Sequence, residues 1–169
     1  MSDRVLPPFA WQGLPCWRVL DTDFSDGRLF LQTWQRWRSD SAAPRALHYV
    51  ALCQQPPTLT QLGGDPADAE RQALLLELSA QWFGLGAGFH RLLLQQGQVV
   101  LTLCVGQAAR LLKQQQFHAD AILVHDQPSG TAASTENPPW TFKDLSTCCQ
   151  RGTILHFMSE RHALSLIHI

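Results

Sequence analysis

The stretch Trp17-Arg18-Val19-Leu20-Asp21-Thr22-Asp23-Phe24-Ser25-Asp26-Gly27-Arg28-Leu29-Phe30-Leu31-Gln32-Thr33-Trp34-Gln35-Arg36-Trp37 decides how the chain folds. A short apolar strand, Arg18 to Asp21, runs into an acidic turn and then into a helix, Gly27 to Arg38, whose Phe30, Trp34 and Trp37 recur at helical spacing and read as core. Strand, tight turn and helix make the first βα unit of a doubly wound sheet, where a ligand sits over the carboxyl end of the strand and against the helix N-terminus. Such a turn needs glycine for positive φ and for close backbone approach, yet only Gly27 is present beside Asp23, Ser25 and Asp26. From spacing alone it reads as a plain strand-to-helix loop capped by Ser25 or Asp26, because the G-x-G-x-x-G fingerprint is absent.

Outward from this unit, strands and helices alternate, which predicts an α/β fold with a mostly parallel sheet. Ala46 to Leu52 is a near-continuous apolar run suited to a strand buried on both faces, followed by a loop from Cys53 to Pro57. Asp65-Pro66-Ala67-Asp68 announces the next helix, with Leu74, Leu78 and Trp82 as its buried stripe and Leu75 alongside. His90 to Val105 reads as two strands joined at Gln95-Gln96-Gly97, a departure from strict alternation. Gln107 to Gln116 suits a short helix, and Ala119 to Val124 a strand ending at the ionisable pair His125-Asp126. The polar loop from Gln127 to Pro139 is expected to be flexible or to wrap a site. Trp140 to Gln150 is expected to be a helix stopped by Gly152, with a strand from Thr153 to Met158. The final Leu164-Ser165-Leu166-Ile167-His168-Ile169 reads as an exposed apolar tail without a following turn, which predicts a truncated reading frame or inauthentic last residues.

Length and composition bound the function. A chain of 169 residues without internal repeats is the size of one domain. A formal net charge of −1 excludes the broad electrostatic footprint of a sequence-independent nucleic-acid binder, so RNA binding would need a local patch or another module. With neither a long apolar span nor a signal-peptide pattern, neither membrane nor export is expected, and the cytoplasm is. Five cysteines (Cys16, Cys53, Cys104, Cys148, Cys149) without C-x-x-C spacing argue against a disulfide framework and against a zinc site, so no metal is expected. Of the adjacent Cys148 and Cys149, one should be core and one surface.

Taken as a set, residues 19 to 34, Leu47 to Leu52, Gly88 to Leu92, Leu101 to Gly106, Asp120-Ala121, Asn137-Pro138 with Trp140, and Arg151-Gly152-Thr153 resemble the methyltransferase domain of the MnmC family, bifunctional bacterial enzymes that modify the tRNA wobble uridine. The likeness runs in order from about residue 15 to 163. It implies a Rossmann-like, class I methyltransferase-like doubly wound sheet that binds S-adenosyl-L-methionine and methylates the exocyclic amine of 5-aminomethyl-2-thiouridine in tRNA. It also implies a fused FAD-dependent oxidoreductase domain following in the full-length protein. FAD would belong only to that domain, which is absent here together with the last strands of the sheet, so residues 1 to 169 are expected to be an N-terminal fragment.

The departures from the family fall on the site. Its loop reads Glu-x-Gly-Phe-Gly-x-Gly, and here Asp21 replaces the glutamate, Asp23 and Ser25 replace two glycines, and Gly27 is retained. Cys53 stands where a glutamate grips the ribose hydroxyls, and Gly106-Gln107-Ala108 stands for Gly-Asp-Ala beside the adenine. The family's Leu-Asp-Gly-Phe becomes Val124-His125-Asp126-Gln127, where Asp126 matches after one inserted residue. The resemblance thus implies Asp21, Gly27, Gly106 and Gln107 as cofactor contacts and Asp126 as the catalytic group, with His125 as the alternative base. Arg36, Arg38, Arg45 and Arg91 are candidates for phosphate contact. Two readings follow: a working methyltransferase with a remodelled loop, or a non-catalytic scaffold that holds tRNA or supports a fused oxidoreductase. A domain for another nucleotide is disfavoured, because the acidic turn repels phosphate.

Overall fold

The computed structural model describes residues 6–63, 67–125, 140–158 and 166–168. In chain order the elements are β1 (Cys16–Asp21), α1 (Arg28–Ser39), β2 (Ala46–Cys53), α2 (Ala69–Ser79), β3 (Gly88–Leu94), β4 (Val99–Val105), α3 (Ala108–Gln114), β5 (Ala119–His125), α4 (Phe142–Ser146), β6 (Cys149–Met158) and β7 (Leu166–His168). The strands form one sheet in the order β3-β4-β2-β1-β5-β6-β7. β1 lies parallel to β2 and β5, β2 to β4, and β5 to β6, whereas β3 and β7 are antiparallel edges. This is the expected Rossmann-like α/β architecture.

Strand alternation sorts the side chains onto two faces. Trp17, Val19, Leu47, Tyr49, Leu101 and Leu103 join Phe30 and Trp34 of α1 and Leu74 and Leu78 of α2 in one core. Leu20, Val50, Leu52, Cys104, Ile122 and Val124 face the other way and meet Leu111 and Leu112 of α3 and Leu145 of α4. Helix α1 forms because its aromatic stripe can bury completely: Phe30 and Trp34 are fully enclosed, and Phe30 packs edge-on against Tyr49 at 5.1 Å. Each such ring contributes about 1.5–3 kcal/mol by leaving water. Among the described residues no helix is long and apolar enough to cross a membrane.

Several boundaries differ from the sequence expectation. Gly27, in the left-handed region at φ 71°, is the N-cap of α1 in place of Ser25 or Asp26 and makes no cap bond itself, while the Asp26 carboxylate accepts the first helical N–H, that of Arg28. Helix α2 is capped by Asp68, whose carboxylate accepts the Arg71 N–H, while Asp65 and Pro66 lie outside the described residues. Trp82 is buried as expected but follows the helix, donating its indole N–H to the Pro57 carbonyl. Cys53 ends a strand and does not open a loop.

The segment expected to be a helix from Trp140 to Gln150 is helical only over Phe142–Ser146, held by a capping box between Thr141 and Asp144. Cys149 and Gln150 already belong to β6, where Cys149 pairs with Ala119, and Gly152 sits inside that strand at φ 92° and stops no helix. Cys148 is core and Cys149 half-buried, as expected, although neither is on a helix. Leu166–His168, read as a free tail, pairs with Ile154 to His156. The 127–139 loop falls outside the described residues.

At Gly27 a Cβ would lie 2.9 Å from Phe24 Cζ and 3.2 Å from Leu62 Cδ2. Gly27→Ala therefore combines a left-handed penalty with a clash and should cost about 2–4 kcal/mol in urea denaturation. A loss below about 0.5 kcal/mol would contradict this packing.

Candidate functional site

The chain leaves β1 toward β2 on one side and later returns to place β5 on the other, so the strand order reverses at the carboxyl end of β1. Open α/β sheets bind ligands at such a switch point. Asp21, Cys53 and His125 end β1, β2 and β5, and Gly106 directly follows β4 with its N–H on the Cys53 carbonyl at 2.9 Å. The fold thus brings four of the expected positions, with Gln107 beside them, to one edge of the sheet.

At its centre is the buried Asp21 carboxylate. Its Oδ2 accepts the Tyr49 hydroxyl at 2.6 Å, and its Oδ1 accepts the Asp23 N–H at 3.1 Å. His125 Nε2 lies 2.9 Å from the same Oδ1, at ion-pair distance but without the angle of a hydrogen bond. Both side chains are almost fully enclosed, at 2% and 1% exposure for His125 and Asp21. The backbone seals the same gap, with the Thr22 N–H on the Leu123 carbonyl at 3.0 Å and the His125 N–H on Thr22 Oγ1 at 2.9 Å. Burial first, then the Asp21 charge and hydrogen bond, hold the Tyr49 phenol well above its ordinary pKa, so it remains a donor.

The acidic turn is built around its own side chains. Phe24 donates its N–H to the Leu52 carbonyl at 2.8 Å and stacks on Trp82 with centroids 5.7 Å apart. Ser25 adopts φ 52°, the left-handed conformation that the turn requires of a glycine. Asp26 accepts the Arg28 N–H at 3.0 Å, its Oδ2 lies 3.4 Å from Arg28 Nη2, and its carbonyl takes the Gly63 N–H at 2.7 Å. A carboxylate of the chain itself therefore occupies the start of α1, where a ligand anion would gain from the helix dipole.

Cys53 is buried, and burial, then neighbouring Cys104 and the Asp23 and Asp21 charges, push its thiol up to about 12. It is a neutral group at physiological pH. Gly106 has φ 131°, and an added Cβ there would meet only Leu111 Cδ1 at 3.8 Å, so its need for glycine is conformational. Gln107 is exposed at the N-cap of α3 without a side-chain cap bond. Asp126 lies outside the described residues.

Tyr49 and Thr22 were not singled out in the sequence. The available signal was the one phenol in an otherwise apolar β2 run, opposite a strand ending in a carboxylate. Of the arginines, Arg36 is committed internally: its Nη1 donates to the Pro7 carbonyl at 3.0 Å, and its guanidinium lies over Phe9 and Trp11. Arg38, Arg45 and Arg91 are exposed.

Removing the phenol oxygen in Tyr49→Phe keeps the ring against Phe30 and takes one donor from a buried carboxylate, so chemical denaturation should record a loss of about 1–3 kcal/mol. Relieving the left-handed serine in Ser25→Gly should instead stabilise by about 0.5–1 kcal/mol in the same assay. A thiol with a pKa near 12 is ionised in only about one molecule in ten thousand at pH 8. Timed alkylation read by mass spectrometry should therefore label the half-buried Cys16 and Cys149 well before Cys53.

No protein-family profile matches the chain. Individual relatives do. The "tRNA 5-methylaminomethyl-2-thiouridine biosynthesis bifunctional protein MnmC" of Albidiferax ferrireducens is 43% identical over 152 residues, covering 88% of this chain and 25% of that protein. The proteins of the same name from a Polaromonas and an Acidovorax species are 39% and 41% identical, over 86% and 88% of this chain and 24% and 23% of theirs. Among solved structures, MNMC2 from Aquifex aeolicus superimposes with a TM-score of 0.56 at 18% identity, over 83% of this chain and 42% of that one, a likeness of fold. Spanning about a quarter of the length of the curated relatives it matches, the chain is an MnmC-like domain, similar to these proteins over 86–88% of its own length.

Proposed function

We propose that this chain serves the modification of the tRNA wobble uridine in the cytoplasm, as the methyltransferase-like domain of an MnmC-type protein. Its own part there is that of a non-catalytic scaffold that docks tRNA or supports a fused FAD-dependent oxidoreductase. Residues 1–169 would form one domain with its core at about 15–163. The observation that carries the scaffold role is the engaged Asp21 carboxylate at the carboxyl edge of the sheet, already bonded by Tyr49 and Asp23 and enclosed beside His125.

The residues present do not fit S-adenosyl-L-methionine. The β2 end offers the ribose hydroxyls a buried neutral thiol, Cys53, in place of a bidentate anion. Asp23 and Ser25 add side chains where the family's loop has glycine, and Asp26 takes the start of α1. Position 107 carries an uncharged amide. Each lost charge-assisted hydrogen bond costs about 1.5–3 kcal/mol, so two together weaken binding roughly 10²- to 10⁴-fold. No catalytic step is therefore assigned through this group, and Asp126 and His125 are not given a role in methyl transfer.

A second reading, S-adenosyl-L-methionine-dependent methylation of the aminomethyl group of 5-aminomethyl-2-thiouridine, draws support from the acid retained at position 21 on the strand-order reversal. Isothermal titration with S-adenosyl-L-methionine separates the two. The scaffold reading expects a folded protein and no heat at about 100 µM ligand, and micromolar binding would sink it.

A further inference from the structure

Among the described residues, the sheet face that carries α3 and α4 has its buried cluster toward the carboxyl ends of the strands, where Leu20, Val50 and Leu52 share a core with Leu111, Leu112 and Leu145. On the outer strand of the same face Phe89 and Leu93 are 46% and 55% exposed, and Arg91 between them is exposed as well. Pairing register sets Phe89 opposite Cys104 near the carboxyl end of β4, Arg91 opposite Thr102 at its middle and Leu93 opposite Val100 near its amino end, from where Val100 opposes His48 and His48 opposes Arg18. Arg18 keeps 43% of its side chain in solvent.

This face is locally cationic in a chain whose formal net charge is −1. Its carboxylate, Asp120, is already engaged: Oδ2 accepts the Arg18 N–H at 2.8 Å and lies 3.9 Å from Arg18 Nη1, and Oδ1 accepts Gln150 Nε2 at 3.0 Å. Arg91 has no carboxylate at ion-pair distance among the described residues. After burial, the charges of Arg18 and Arg91 lower the His48 pKa, so both guanidiniums act on the middle of the face.

We propose that the exposed row of β3, with the half-buried amino-terminal halves of β4, β2 and β1 beside Leu93, is an RNA-docking surface: Arg18 and Arg91 contact phosphates, and Phe89 stacks on a base. The inference rests on the reading of the chain as a tRNA-modification domain, and it names the surface that reading leaves open. Aromatic rings interleaved with arginine on a solvent-facing sheet provide base stacking and charge together. A dry protein interface would bury the unpaired Arg91 guanidinium at a cost, whereas a phosphate oxygen pairs it. Strand addition at the neighbouring edge is blocked at Leu93, whose N–H and carbonyl are both held by the Gln81 side-chain amide at 3.1 and 2.7 Å.

The test is fluorescence anisotropy of the whole chain with an unmodified tRNA transcript, at two or more salt concentrations. Phe89→Ala and Arg91→Ala should each weaken binding about tenfold, and Arg91→Ala combined with Arg18→Gln should lower the salt slope by about two. Phe89→Tyr, which keeps a stacking face, should bind like the parent protein. Lys143→Ala, exposed on α4, should do the same. If the parent chain binds tRNA and the Phe89 and Arg91 variants bind within twofold of it, the surface is wrong and the tRNA reading stands. If the parent chain binds no tRNA, the surface and the tRNA-docking role both fall, and support of a fused oxidoreductase is the role that stands. A dimer in light scattering that Leu93→Lys dissolves would make the face a self-interface and overturn the proposal.

Discussion

A carboxylate buried to 1% exposure at the end of the central strand must be compensated on the spot, because an uncompensated charge in such surroundings costs several kcal/mol. Asp21 meets this demand with donors from two different parts of the chain, the Tyr49 hydroxyl of β2 and the Asp23 N–H of the turn, and with the His125 ring of β5. The requirement fixes more than one side chain. Tyr49 lies two residues before Ala51, the register partner of Asp21, so a one-residue slip of β2 would turn the phenol to the opposite face. The turn is constrained as well, since the Asp21 carboxylate bends the chain back onto Asp23, and Phe24 then bonds the end of β2.

The same compensation limits what the site can do. A carboxylate that orders the sheet register and the turn from 1% exposure is closed to a ligand hydroxyl or amine unless the strand ends part. Its charge further disfavours ionisation of Cys53, adding to burial and keeping a neutral thiol where an anion would be needed. The position of Asp26 has an analogous effect at α1, because its carboxylate satisfies an exposed helix N–H that would otherwise be available to a ligand anion. Stability and ligand binding draw on the same polar groups here, and the chain has committed them to stability.

Elements whose pattern is local were legible in the sequence. The aromatic stripe of α1, the doubly buried β2 and the β3–β4 hairpin around Gln95–Gly97 all formed as read, because periodicity and turn chemistry decide them. The stretch from Trp140 onward was misread because its fate is tertiary. Cys149 becomes a strand residue through pairing with Ala119, after a five-residue helix that the Thr141–Asp144 capping box nucleates. The site divides in the same way. His125 could be named from its place at a strand end, and Asp21 and Gly106 from the family resemblance, but the partnership of Asp21 with Tyr49 and His125 could not. It depends on which strands become neighbours and in what register, and the crossovers decide that.

That division explains why the sheet carries two functionally different regions. The carboxyl edge is where the topology concentrates chemistry, and there this sequence has filled the positions with groups that bond one another. On the outer face the described helices α3 and α4, of seven and five residues, leave Arg18 and His48 near the amino ends of β1 and β2 half-buried and the β3 residues Phe89, Arg91 and Leu93 exposed. Burial of these positions would have demanded apolar residues, as it did at Val50 and Leu52 further along the same face. The change from valine and leucine to arginine and histidine along single strands therefore marks where the covered face ends. A partner that approaches this sheet meets cation and aromatic ring there, and at the carboxyl edge a buried carboxylate already bonded by Tyr49 and Asp23.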